Sequence, residues 1–113
     1  MLEKLRDWQP FDGGALLDDV AAALDDVPPA KEDTEELAER LRGHLMQLVN
    51  IAVAGEAEQD TAAAQLIEQA RMLRADDVPG DHRKAVGHLR RMGWTASELL
   101  EQLVAMKHLK EAA

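Results

Sequence analysis

Near the C-terminal end of the chain, seven apolar residues hold one helical phase. Ala85, Leu89, Met92, Ala96, Leu99, Leu103 and Met106 step 4-3-4-3-4-3. That period lines one face of an α-helix and does not fit a strand, whose faces alternate every residue. The phase runs straight through Gly93, although Thr95 and Glu98 have capping-box spacing and offer a second helix start. Two unrelated helices would share a phase only by coincidence. A single helix is therefore expected over about 81–110, with Asp81 as its cap. At 1.5 Å per residue it is roughly 40 Å long. A mid-helix glycine costs about 1 kcal/mol, which burial of the stripe offsets. Gly93 also permits close approach by a neighbouring helix, or a slight bend.

So long a stripe needs partners, and the rest of the chain supplies them as helices. Residues 15–26 form the first, with Leu17, Val20, Leu24 and Val27 as its apolar stripe and Val27-Pro28-Pro29 as its stop. The second is expected over about 33–55. Asp33 and Glu36 have capping-box spacing, and Leu37, Ala38, Leu41, Leu45, Met46, Leu48, Val49, Ala52 and Val53 sweep roughly half the circumference. An arc that wide places this helix centrally. Gly43 and Asn50 fall on its polar side, and His44 lies at the edge of the apolar arc. The polar run Gly55–Asp60 predicts a bend, with Asp60 or Thr61 capping a third helix over about 60–75. An unbroken helix through the run is the alternative, since no proline forbids it. The expected fold is an all-α bundle in one domain, 1–113, of three principal helices plus an N-terminal one. Residues 1–14 form an irregular arm, broken by Pro10 and loosened by Gly13-Gly14. Trp8 and Phe11 on that arm either lie on the bundle or serve as an exposed anchor for a partner.

Charge narrows the function classes. Residues 1–60 carry 15 Asp and Glu against 5 Lys and Arg, whereas residues 61–113 carry 7 against 8. The net charge of −9 disfavours direct nucleic-acid binding, because phosphates are repelled. Asp18, Asp19, Asp25 and Asp26 form an acidic ridge beside the first helical stripe. Arg83, Lys84, Arg90 and Arg91 form a basic cluster expected to pair with Asp18 and Asp25, or to meet an acidic partner. No apolar run approaches the ~20 residues of a membrane span, and no secretion signal is recognisable. With no cysteine in the chain, the reducing cytoplasm is the expected location.

The constellations that carry chemistry are sparse. The four histidines, His44, His82, His88 and His108, include no i, i+4 pair and no HExxH. Neither an EF-hand loop nor the Glu-x-x-His pair of bundle di-metal sites occurs, so no metal or cofactor is expected. With few hydroxyls and no thiol, no catalytic nucleophile can be nominated and an enzyme is not expected. His44, expected to bond a backbone carbonyl, and His88 are the pocket candidates.

The strings WQPFDGGALLDDVAAALDDVPP, LAERLRGHLMQLVNIAVA and DDVPGDHRKAVGHLRRMGWTASELLEQLV resemble a family of small actinomycete helical proteins of unknown function, usually labelled natural product biosynthesis proteins. LRGHL at 41–45 and AVGHLRRMGW at 85–94 carry the resemblance. It implies a small helical protein and supplies no catalytic residues. Together these readings point to a non-enzymatic accessory protein, with the acidic face from helix 15–26 to Glu39 binding a protein partner. An acidic decoy for a nucleic-acid-binding protein, or a small-ligand binder with a pocket at His44, are the alternatives. If helix 81–110 outruns its neighbours, a homodimer would cover the exposed end.

Overall fold

The structure, a computed structural model, describes residues 13–106. These form α1 (Gly13–Leu24), α2 (Lys31–Ala54), a 3-10 turn (Ala57–Gln59), α3 (Thr61–Ala75) and α4 (His82–Ala105), with no strand among the described residues. α2 and α4 pack on each other along the centre, and α1 and α3 flank that pair, each touching both. Leu41, Leu45 and Leu48 of α2 and Leu89, Met92, Leu99 and Leu103 of α4 are fully buried at the centre. Burying a leucine side chain stabilises by roughly 1.5–3 kcal/mol, so these central residues supply a large share of the driving force.

α4 is continuous through Gly93, as its phase required. A Cβ placed on Gly93 would sit 3.2 Å from the Ala23 Cβ and 3.5 Å from Leu24 Cγ. The glycine thus lets α1 dock close against α4. Ala105 ends the helix, short of the expected 110, with Met106 as its C-cap; residues 107–113 lie outside the described residues.

The bend between α2 and α3 is real. Gly55 closes α2, Glu56 takes a left-handed conformation (φ 60°, ψ 27°), and buried Ala57 anchors the 3-10 turn in the core. Asp60 then caps α3 by accepting from the Ala63 amide at 3.0 Å. Asp81 does the same for α4, accepting from the Lys84 amide at 3.1 Å.

Four expectations are corrected. α2 starts at Lys31, not Asp33, with extended Ala30 as its N-cap and no side-chain cap. Pro28-Pro29 holds the chain extended up to that point, so Asp33 already lies inside the first turn, its amide bonded to the Ala30 carbonyl at 2.9 Å. Thr34, rather than a capping box, serves this turn by donating to the Lys31 carbonyl. α1 includes Gly13 and Gly14 and ends at Leu24, so those glycines open a helix instead of loosening an arm. Its inward stripe is Leu16, Val20 and Ala23, while Leu17 is 49% exposed and Val27 75% exposed. Ala23 against Gly93 explains the rotation: the closest approach turns Ala23 inward and carries Leu17 out. Met46 and Val53, expected in the inner arc of α2, lie at its exposed edges.

Candidate functional site

The acidic ridge divides when α1 docks on α2. Asp19 turns inward, and its Oδ1 accepts from Arg40 Nε at 3.1 Å. Its Oδ2 lies 2.7 Å from His44 Nε2. A carboxylate can only accept, so that nitrogen carries the hydrogen. The Asp19 and His44 side chains are only 14% and 13% exposed. Charge-assisted bonds in partly dry surroundings are stronger than surface pairs, so Asp19 clamps α1 to α2. The expected backbone carbonyl is therefore not the partner of His44. Arg40 also bonds Glu36 at 3.0 Å, one turn back along α2.

Beside the clamp lies a shallow cleft of about 400 Å³ lined by Ala15, Asp19, Arg40, Gly43, His44, Met46, Gln47 and Asn50. Gly43 leaves a patch of bare helix there, because a Cβ at that position would meet nothing within 4 Å.

The rest of the acidic face is wet. Asp18, Asp25, Asp26, Glu32, Asp33, Glu35, Glu36 and Glu39 are all exposed. Asp25 turns its carboxylate back to accept from the Val27 amide at 3.1 Å, which helps stop α1 in the manner of an Asx turn. Among the described residues, Asp18, Asp26, Glu32, Asp33 and Glu35 make no ion pair.

The basic cluster does not neutralise that ridge. Arg83, Lys84, Arg90 and Arg91 form no ion pair among the described residues. Arg90 instead donates to the backbone carbonyl of Asp25 at 3.2 Å, because the Asp25 carboxylate is turned away into its own turn. His82 donates to the Pro29 carbonyl at 2.9 Å and ties the start of α4 to the α1–α2 connection.

His88 is buried at 2% exposure, with no partner for Nε2. Burial holds its pKa below the ordinary 6.5; Arg91 adds to the depression, the Asp76 carboxylate opposes it and Arg42 reinforces it. His88 is thus a neutral core histidine and not the wall of an open cleft. His44 does line one. Trp8, Phe11 and His108 lie outside the described residues.

What sequence reading missed is the cross-helix meeting of Asp19, Arg40 and His44. Its one sequence trace was a mid-helix glycine without a packing reason on the polar face of α2. Among the described residues no three His, Asp or Glu side chains converge as metal ligands. No described helix is long and apolar enough to cross a membrane.

No curated protein and no solved structure matched the chain. A family profile does match, over residues 14–108, nearly the whole described bundle, with the second and third strings whole and the first from Gly14 onward. The chain belongs to a family of unknown function (DUF6415).

Proposed function

We propose that this protein is a non-enzymatic accessory factor that binds a basic protein partner through the carboxylate-rich face of α1 and α2. The resemblance to actinomycete proteins labelled for natural product biosynthesis suggests secondary metabolism or its regulation, in the cytoplasm, as the setting. One observation carries the reading. Asp18, Asp26, Glu32, Asp33 and Glu35 are exposed, and none is neutralised by a cation among the described residues. Like charges held together repel one another, and a cationic surface relieves that repulsion while speeding encounter. The same field repels nucleic acid, so a protein is the natural counterpart.

The test is capture from a native lysate of the source organism, with the chain as bait, at low and high salt. A partner should be recovered whose binding falls steeply with ionic strength. Neutralising Asp18, Asp26, Glu32, Asp33 and Glu35 to their amides together should abolish recovery. Salt-indifferent binding, or equal capture by the neutralised variant, refutes it. If the partner is a DNA-binding protein, competition between this chain and DNA marks the decoy form of the same reading.

A second reading rests on the cleft beside His44. The Asp19–His44 pair orients an imidazole there, and Gly43 opens the helix backbone to approach. A small polar ligand held by Arg40, Gln47 and Asn50 would suit those groups. Perturbation of His44 ring NMR signals by a metabolite library, absent in Gly43→Leu, would establish it.

A further inference from the structure

α4 has a second stripe that the bundle leaves uncovered. Lys84, Arg91, Trp94, Glu98, Glu101 and Ala105 are all exposed, and with half-buried Gly87 they step 3-4-3-4-3-4 along the outer face. Trp94 sits at the middle of this stripe and is 59% exposed. Its cations, Lys84 and Arg91, lie on the N-terminal side of Trp94, and its anions, Glu98 and Glu101, on the C-terminal side. A charge pattern that reverses about its own centre is complementary to itself when the helix is turned end for end.

Next to Trp94 is a cleft of about 300 Å³ between α3 and α4, lined by Gln69, Arg91, Trp94, Thr95 and Glu98. Thr95 is 1% exposed, and its hydroxyl has no hydrogen-bond partner. With that oxygen out of reach of solvent, Gln69, Arg91 and Glu98 supply the polar groups an occupant meets.

We infer that the outer face of α4 docks on a second copy of this chain in antiparallel orientation, about a two-fold axis near Trp94. Each Trp94 enters the cleft of the other copy. The interface is isologous, so every contact is made twice. Arg91 of each copy meets Glu98 and Glu101 of the other. The incoming indole N–H is a donor only, and the side-chain carbonyl of exposed Gln69 is there to accept from it. Tryptophan and arginine are the residue types that most often dominate binding energy at such centres.

Size sets the expected strength. α4 is roughly 36 Å long and about 10 Å wide, so its stripe alone covers less than half of the ~800 Å² per partner of a standard interface. The flank of α3, with exposed Gln65, Gln69 and Met72, adds to it. A reversible dimer with a dissociation constant in the micromolar range is expected. This face differs from the α1–α2 face of the proposed partner, so the two readings stand or fall separately.

The experiment is sedimentation equilibrium of the full chain across concentrations from about 1 to 500 µM. The 12.5 kDa monomer should give way to twice that mass as concentration rises. Trp94→Ala and Arg91→Glu should each weaken the dimer at least tenfold. Adding Glu98→Lys and Glu101→Lys to Arg91→Glu should recover most of the loss. All four positions are exposed, so circular dichroism and the urea midpoint should stay unchanged. Orientation is read by cysteine cross-linking, which the cysteine-free chain makes clean. Arg91→Cys and Glu98→Cys proteins should form disulfides with each other and not with themselves. A monomer throughout the range overturns the inference. So does a dimer indifferent to Trp94 and Arg91, or self-cross-linking by Arg91→Cys, which marks a parallel pair.

Discussion

Gly93→Ala and Gly43→Ala make the same chemical change in the interior of a helix, and the structure assigns them opposite outcomes. On helix propensity alone each gains about 1 kcal/mol. At Gly43 a new Cβ meets nothing within 4 Å, so the gain should appear nearly whole, as about 1 kcal/mol of stabilisation. At Gly93 the new methyl would lie 3.2 Å from the Ala23 Cβ, inside the optimum of about 3.5–4.0 Å for carbon pairs. The Ala23 Cβ is fixed to the α1 backbone and has no rotamer through which to escape. α1 must therefore move, and overpacking of this kind typically costs about 1–3 kcal/mol. Gly93→Ala should thus lie between neutral and about 2 kcal/mol destabilising, and below Gly43→Ala by about 1–3 kcal/mol. Urea denaturation followed by circular dichroism measures both. Ala23→Gly should couple favourably with Gly93→Ala, by about 1 kcal/mol in a double-mutant cycle. Equal stabilisation by the two glycine substitutions, or zero coupling with Ala23, would refute the close docking of α1 on α4.

Asp19→Ala should destabilise by about 1–2 kcal/mol, because it strands His44 and frees Arg40, whereas exposed Asp18→Ala should stay within about 0.5 kcal/mol. Asp60→Ala and Asp81→Ala should each cost about 1 kcal/mol through loss of a cap. Asp33→Ala should cost at most about 0.5 kcal/mol, since it caps nothing. Burial keeps His88 neutral, so the unfolded chain takes up its proton first as pH falls. Its contribution to stability is complete above the ordinary value of 6.5 and declines as pH drops below 6.5 toward the lowered folded value. Stability profiles of wild type and His88→Leu between pH 8 and pH 5 should therefore diverge on the acid side, with the variant flatter.

The helices and their breaks were legible because they depend on local chemistry. Hydrophobic phase carried α4 through Gly93, and Asp60 and Asp81 announced their caps. Pro28-Pro29 set the start of α2, although α1 had already ended at Leu24 and Ala30 rather than Asp33 became the cap. Periodicity defines angles within one helix. It says nothing about how that helix is rotated against another. Docking of Ala23 on Gly93 decided that Leu16 points inward and Leu17 outward. The same rotation turned Asp19 toward His44, 25 residues away in sequence, and left Asp18 in water. Trp94, off the stripe that Leu89, Met92 and Leu99 bury, stands on the open side of α4. Segment type follows from interactions within a turn or two of the chain. Side-chain pairing across helices follows from the relative orientation of whole elements, which only the packed core selects.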